Sequence, residues 1–242
     1  MNILILASGA DSSPTYPTWL TEIEGVLLLE KLVRCLDSSR TAHFVYAFRA
    51  SDIEAYHVDS IAGEITPGAA VVEVSRATAG AACTALLAID QIDPDDELIV
   101  ASATDYVDVD YAAVVADFRA RGASAGILTF ESLHPRYSFV RTDAEGLVIE
   151  AAEKHPISRQ ANAGIYWYRR ASDFFRSVES MILKDGHVGG VFYLSPSLNE
   201  LVLAGKPVAA WPLGPDQYRP LKDQRQLDSL EHALDARNRH AS

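Results

Sequence analysis

Cysteine is nearly absent. Cys35 and Cys83 are the only two in 242 residues. They form no C-x-x-C pair, and two thiols cannot staple a fold of this size. They read as buried thiols of a reducing compartment. Bases are also in deficit: 21 Lys and Arg stand against 33 Asp and Glu, for a net charge of −12. That argues against a nucleic-acid face and against docking on anionic lipid, since both need a basic surface. A local basic pocket for a small phosphorylated ligand is compatible with this sum. No apolar run reaches the ~18 residues of a membrane helix. The opening Met1-Asn2-Ile3-Leu4 lacks the basic start of a secretion signal, so a cytoplasmic location is the expectation. No internal repeat and no low-complexity linker interrupts the chain.

What is present is the mix of an ordinary globular chain, 48% hydrophobic and 22% charged, long enough to bury a core without staples. Residues 3–7 are a continuous apolar run that stops at Ser8-Gly9, the pattern of a buried parallel strand ending in a tight turn. Helical spacing follows over 26–36, a strand over 43–48, and a short helix opening at Ser51-Asp52. A strand over 71–74 comes next, then an Ala-rich helix over 78–92 and a strand over 98–101. Asp110 is a suitable N-cap for a helix over 111–121 that stops at Gly122. This alternation predicts a mainly parallel, mixed α/β sheet with helices on both faces, of the Rossmann-like, glycosyltransferase-A-like kind. Ligands of such sheets sit beyond the carboxyl ends of the strands. The turns after Ala7 and Ala101 are therefore the places to search.

The second half is richer in strand patterns, over 125–130, 138–141, 147–150, 164–168 and 207–211. Helices are predicted over 172–183, 196–203 and 224–237. The simplest organisation is one domain, with a nucleotide-binding half over 1–122 and an acceptor-binding half over 123–242.

An ordered series of short motifs runs through this framework. Leu6-Ala7-Ser8-Gly9, Pro17-Thr18-Trp19-Leu20 and Ile23-Glu24-Gly25 come first. The Ala79-Gly80-Ala81 helix start and Ala101-Ser102-Ala103-Thr104-Asp105 follow. Arg136-Tyr137-Ser138-Phe139, Glu153-Lys154-His155-Pro156 and Ala163-Gly164-Ile165-Tyr166 complete the series. The series resembles the sugar nucleotidyltransferases, the nucleoside-diphosphate-sugar pyrophosphorylase-like family. Phe192-Tyr193-Leu194-Ser195-Pro196 and Asn199-Glu200-Leu201 are similar to its capsule and surface-polysaccharide branch.

The resemblance implies transfer of a nucleotidyl group from a nucleoside triphosphate to a phosphorylated small acceptor, with Mg²⁺. Such an enzyme aligns two anions and neutralises charge on the transferring group. On the matching positions, Ala7, Ser8, Gly9, Ala79 and Gly80 would frame the nucleotide. Tyr137, Ser138, Glu153, Lys154 and Asn162 would surround the acceptor, with Lys154 on its phosphate. Asp105 would hold the metal, ahead of Asp108 and Asp223. Arg136, Arg159 and Arg169 read as solvated surface. Whether identical chains assemble is open.

The pattern also departs from the family. Where the family carries an Arg and a Lys on the first loop, this chain has no base before Lys31, and Thr18 stands at the Lys position. Asp11 adds a negative charge there. Counting back from Asp110 puts Thr104, not Asp105, at the family's metal Asp. Pro220-Leu221-Lys222-Asp223 replaces a glycine-rich element. With no base before Lys31, weak or no pyrophosphate release is expected from this chain, and a nucleotide with fewer phosphates or a nucleotide sugar is expected to bind at least as well as a triphosphate. Two further readings follow: a relative that binds a nucleotide or nucleotide sugar without turnover, and a glycosyltransferase using Asp108-Val109-Asp110.

Overall fold

The computed structural model describes residues 1–9, 16–37, 41–221, 226, 227 and 230. In chain order the first half comprises β1 (Asn2–Leu6), β2 (Glu22–Ile23), β3 (Val26–Leu27), α1 (Leu28–Leu36), β4 (His43–Arg49), α2 (Ala50–Tyr56), α3 (Val58–Ile65), β5 (Ala70–Val74), α4 (Ala81–Leu86), β6 (Leu98–Ser102), β7 (Asp105–Val107) and α5 (Tyr111–Ala120). The second comprises β8 (Ala125–Glu131), β9 (Ser138–Thr142), β10 (Val148–Glu153), β11 (Gln160–Tyr168), α6 (Ala171–Leu183), α7 (Leu198–Leu203), β12 (Val208–Pro212) and β13 (Tyr218–Pro220).

Strand β1 is buried at every residue and lies between β4 and β6, parallel to both. Its alternate side chains enter two different cores. Ile3 and Ile5 join Tyr46, Phe48 and Ile99 on one face, under residues of α1, α3 and α5. Leu4 and Leu6 join Val45, Ala47 and Val100 on the other, under α4, α6 and α7. Burial on both faces is why the run 3–7 is continuously apolar rather than alternating. At roughly 1.5–3 kcal/mol for each fully buried aliphatic side chain, this strand anchors the sheet.

The sheet has nine strands, drawn from both halves of the chain, in the order β10-β9-β11-β6-β1-β4-β5, with β8 and then β12 on the far side of β11. It forks at β11. One edge of β11 pairs with β8 along its length. Its other edge serves β9 at Gln160 and Ala161, then β6 over residues 165–168. The register shifts between Asn162 and Tyr166. A notch opens where β6 and β9 diverge, and the chemistry described below lies there.

Several predicted boundaries move, each for a local reason. The helix expected over 26–36 starts at Leu28, because Val26 and Leu27 pair with Glu22 and Ile23. Glu24 and Gly25 both have positive φ, as a tight two-residue hairpin requires. The helix expected over 78–92 shrinks to α4 and a single 3₁₀ turn at Ile89–Gln91. Its start is held extended, because the Phe192 N–H donates to the Ala79 carbonyl at 2.8 Å. The helix expected over 196–203 opens as a 3₁₀ turn, Ser195–Ser197, before α7. The Asp110 cap is as expected: its carboxylate accepts from the Ala112 and Ala113 N–H groups, and Gly122 leaves the helix at φ +66°. Most of the helix expected over 224–237 lies outside the described residues, as do Asp11, Lys222 and Asp223. Among the described residues no helix is long and apolar enough to cross a membrane.

Candidate functional site

A cleft of about 700 Å³ opens at the carboxyl ends of the parallel strands, where α/β sheets place their ligands. Ser8 and Gly9 follow β1 into it, Arg49 and Ser51 come from the end of β4, Arg76 follows β5, and Ser102 ends β6. From the second half of the chain, Arg136, Tyr137, Ser138, Glu153, Lys154, Asn162, Tyr193, Ser195 and Tyr218 line the same space. The cleft thus joins both halves of the chain. Among the described residues its lining contains four cations, Arg49, Arg76, Arg136 and Lys154, against two carboxylates, Asp105 and Glu153. In a chain of net charge −12, this local reversal marks a site for an anion.

Asp105 sits at the notch in the sheet. It is buried and opens β7, whose partner β13 brings Tyr218 alongside. The Tyr218 hydroxyl donates to Asp105 Oδ1 at 2.7 Å. Burial, and then the Asp105 charge, pushes the Tyr218 phenol well above its ordinary value, so it remains a donor. On the other side Gly164 has φ +79°, and a Cβ there would lie 2.8 Å from Asp105 Oδ2. Only glycine leaves room for this carboxylate. Gly164→Ala is expected to lower the melting temperature by several degrees, from about 1–3 kcal/mol of backbone strain and crowding. Gly9→Ala meets no atom of the described residues within 4 Å and serves as the control; equal melting of the two variants would refute the close fit at Gly164.

Lys154 and Arg136 each sit on a tyrosine. The Lys154 ammonium donates to the Tyr193 hydroxyl at 2.5 Å and lies 4.7 Å from that ring's centroid. The hydrogen bond to Tyr193, reinforced by Glu153, raises the ammonium above its ordinary value, so Lys154 carries its charge throughout the physiological range. Arg136 donates to the Tyr137 hydroxyl and lies 4.7 Å from its ring centroid. Aromatic faces hold both cations in place without neutralising them. Two buried polar atoms beside them have no protein partner, Asn162 Nδ2 and Ser195 Oγ. Asn162 is 4% exposed and Ser195 1%. Groups buried this deeply call for a hydrogen-bonding partner, and in a cleft a ligand can supply it.

The structure gathers most of the residues singled out from sequence. Ser8, Gly9, Gly80, Asp105, Tyr137, Ser138, Glu153, Lys154 and Asn162 all line the cleft. Ala7 does not: it is buried, with its N–H donated to the Ala47 carbonyl. Ala79 is engaged backbone to backbone with Phe192 and lies outside the lining. Thr18 is buried in a 3₁₀ turn and is not part of the cleft's described lining. Thr104 turns aside to the Ser102 hydroxyl, leaving Asp105 as the cleft carboxylate of this segment. Asp110 is engaged as a helix cap, and neither it nor Asp108 lines the cleft. The D-x-D reading therefore has no place in this site.

Of the arginines read as surface, Arg159 pairs with Glu131 and Arg169 bonds backbone carbonyls. Arg136 is the exception, because it lines the cleft. The sequence reading missed Arg49, Arg76, Tyr193, Ser195 and Tyr218. Arg49 and Arg76 do have a sequence signal: they stand at the carboxyl ends of β4 and β5, as Ser8 and Ser102 stand at those of β1 and β6.

A family model described as nucleotidyl transferase matches residues 24–182. No curated protein matches the sequence. Among solved structures, the nucleoside-diphosphate-sugar pyrophosphorylase from Vibrio cholerae RC9 superposes with a TM-score of 0.80 at 19% identity, over 96% of this chain and 100% of its own. The inositol-1-phosphate CTP transferase from T. maritima superposes with a TM-score of 0.74 at 13% identity, over 97% of this chain and 94% of its own. At these identities the likeness is one of fold.

Proposed function

The chain belongs to the nucleotidyl transferase family, and we propose that it transfers a nucleotidyl group from a nucleoside triphosphate to the phosphate of a sugar or similar small acceptor, releasing pyrophosphate. The observation that carries this reading is the cleft itself. It collects four cations from an acidic chain and spans both halves of the fold.

Each half has its part. Ser8 and Gly9 let backbone approach a nucleotide beyond β1. Lys154 and Arg136 neutralise the acceptor phosphate, and Glu153, Asn162 Nδ2 and Ser195 Oγ bind acceptor hydroxyls. With both substrates held, an acceptor phosphate oxygen attacks the α-phosphorus, and the bond to the pyrophosphate leaving group breaks. The protein contributes alignment and charge, and no covalent intermediate with a side chain is required.

Among the described residues no group of three or more metal-binding side chains is found. The donor set still fits Mg²⁺, which binds through one or two carboxylates and takes its remaining ligands from water and substrate phosphates. Asp105, whose carboxylate lines the cleft, would hold the ion. When bound, Mg²⁺ offsets the negative charge of the phosphates. Nucleotides and phosphorylated sugars are cytoplasmic compounds, and that is where we place the activity.

The test is pyrophosphate release from each common triphosphate paired with a panel of sugar 1-phosphates, with Mg²⁺. Acceptor-dependent release is the expected result. Binding without release would favour the non-catalytic reading. Release of nucleoside diphosphate from a nucleotide sugar would mark glycosyl transfer. Within this scheme Lys154→Ala is expected to raise the KM for the acceptor about tenfold or more, as loss of a charged hydrogen bond implies. Lys154 is exposed, so the melting temperature should stay within about 2 °C. An unchanged acceptor KM would remove Lys154 from the acceptor phosphate.

A further inference from the structure

The first thirty residues contain no lysine or arginine, yet a triphosphate brings several negative charges into the cleft. Each uncompensated charge costs desolvation energy unless a cation answers it. Among the described residues, two of the cleft's cations come from the strands beside β1, Arg49 at the end of β4 and Arg76 just beyond β5. They differ in one respect. Arg49 Nε donates to Asp52 Oδ2 at 2.9 Å, so its charge is already offset. Arg76 has no hydrogen-bond or ion-pair partner among the described residues.

Arg34, Arg119, Arg121, Arg141 and Arg159 each hold a carboxylate, as expected where acids outnumber bases. Arg176 and Arg219 also lack such a partner among the described residues, but neither lines this cleft; Arg76 does, beyond the carboxyl end of a parallel strand, where an anion is expected.

We infer that Arg76 supplies the positive charge for the nucleotide's polyphosphate, in place of the first-loop cations this chain lacks. Such a cation would allow pyrophosphate release despite the missing first-loop bases. Arginine suits the task, since its planar fork grips phosphate oxygens in pairs. Arg49, steadied by Asp52, lies beside it. The assignment rests on the nucleotidyl-transfer reading for the identity of the ligand.

The test compares the parent with Arg76→Ala and Arg76→Lys by calorimetry. The probes are the four ribonucleoside triphosphates, their monophosphates, and inorganic tripolyphosphate. Arg76 is exposed on a loop, so folding is not at stake. In Arg76→Ala, triphosphate and tripolyphosphate affinity should fall about tenfold or more, and monophosphate affinity by less than about twofold. Arg76→Lys should recover part of the loss. Equal weakening of triphosphate and monophosphate, no weakening at all, or a parent that binds none of the polyphosphates would overturn the role of Arg76. A parent that binds tripolyphosphate through Arg76 but never releases pyrophosphate would overturn the proposed activity and leave Arg76 standing.

Discussion

Asp105→Asn is expected to cut pyrophosphate release by about a hundredfold to a thousandfold, the scale on which one preorganised electrostatic group contributes to a buried site. The substitution preserves shape. An asparagine Oδ1 still accepts from the Tyr218 hydroxyl, now 2.7 Å from the carboxylate, and the smaller demand of the neutral group for solvation favours the fold. The melting temperature should therefore hold within about 2 °C or rise. What disappears is one negative charge facing the phosphates. If that charge works by holding Mg²⁺, raising Mg²⁺ should recover part of the rate. If Asp105 serves only to pin Tyr218 and β13, the rate should hold while the melting temperature moves. Turnover within about threefold of the parent would sink the metal-holding role.

The largest effect on stability is expected at Gly80. This residue has φ +134°, and a Cβ there would lie 2.4 Å from the Phe192 carbonyl oxygen and 2.8 Å from its nitrogen. Both contacts are backbone, so no side chain can swing away. Phe192 is itself tied down, donating to the Ala79 carbonyl at 2.8 Å and accepting from the Ala82 N–H at 3.1 Å. Gly80→Ala combines a forbidden conformation with overpacking and should cost about 3 kcal/mol. For a domain of this size that lowers the melting temperature by roughly 6–12 °C. Gly63→Ala is the opposite case. Gly63 lies inside α3, meets nothing within 4 Å and is exposed, so alanine there should stabilise by about 0.5–1 kcal/mol. If the two variants melted alike, the contact between Phe192 and the start of α4 would not be as described.

The Gly80 result bears on function as well as folding. The Phe192 junction joins the start of α4, from the first half of the chain, to the segment carrying Tyr193 and Ser195, from the second. Displacing it should loosen both walls of the cleft together. Gly164 plays the same part for Asp105, and in both places glycine is required by the closeness of a neighbour rather than by a turn alone.

Much of this was determined by the sequence itself. The unbroken apolar run at 3–7 required burial on both faces, and β1 is central and parallel to its neighbours. Asp110 and Gly122 marked the ends of α5, because capping is a local affair of a few backbone groups. The ordered motifs were enough to indicate the family, and Asp105, Glu153, Lys154 and Asn162 were named without a structure. Tertiary structure decided the rest. Arg49 and Arg76 are separated in sequence from Ser8 and Gly9, and only the parallel order of β1, β4 and β5 brings them to one cleft. Tyr218 meets Asp105 across 113 positions, a pairing that no periodicity records. The helix expected at 78–92 was cut short by Phe192, a partner more than a hundred residues away, because a buried backbone group takes whatever hydrogen bond the fold offers it. Local pattern sets what each segment prefers to be, while charge and contact between distant segments exist only once the chain has closed on itself.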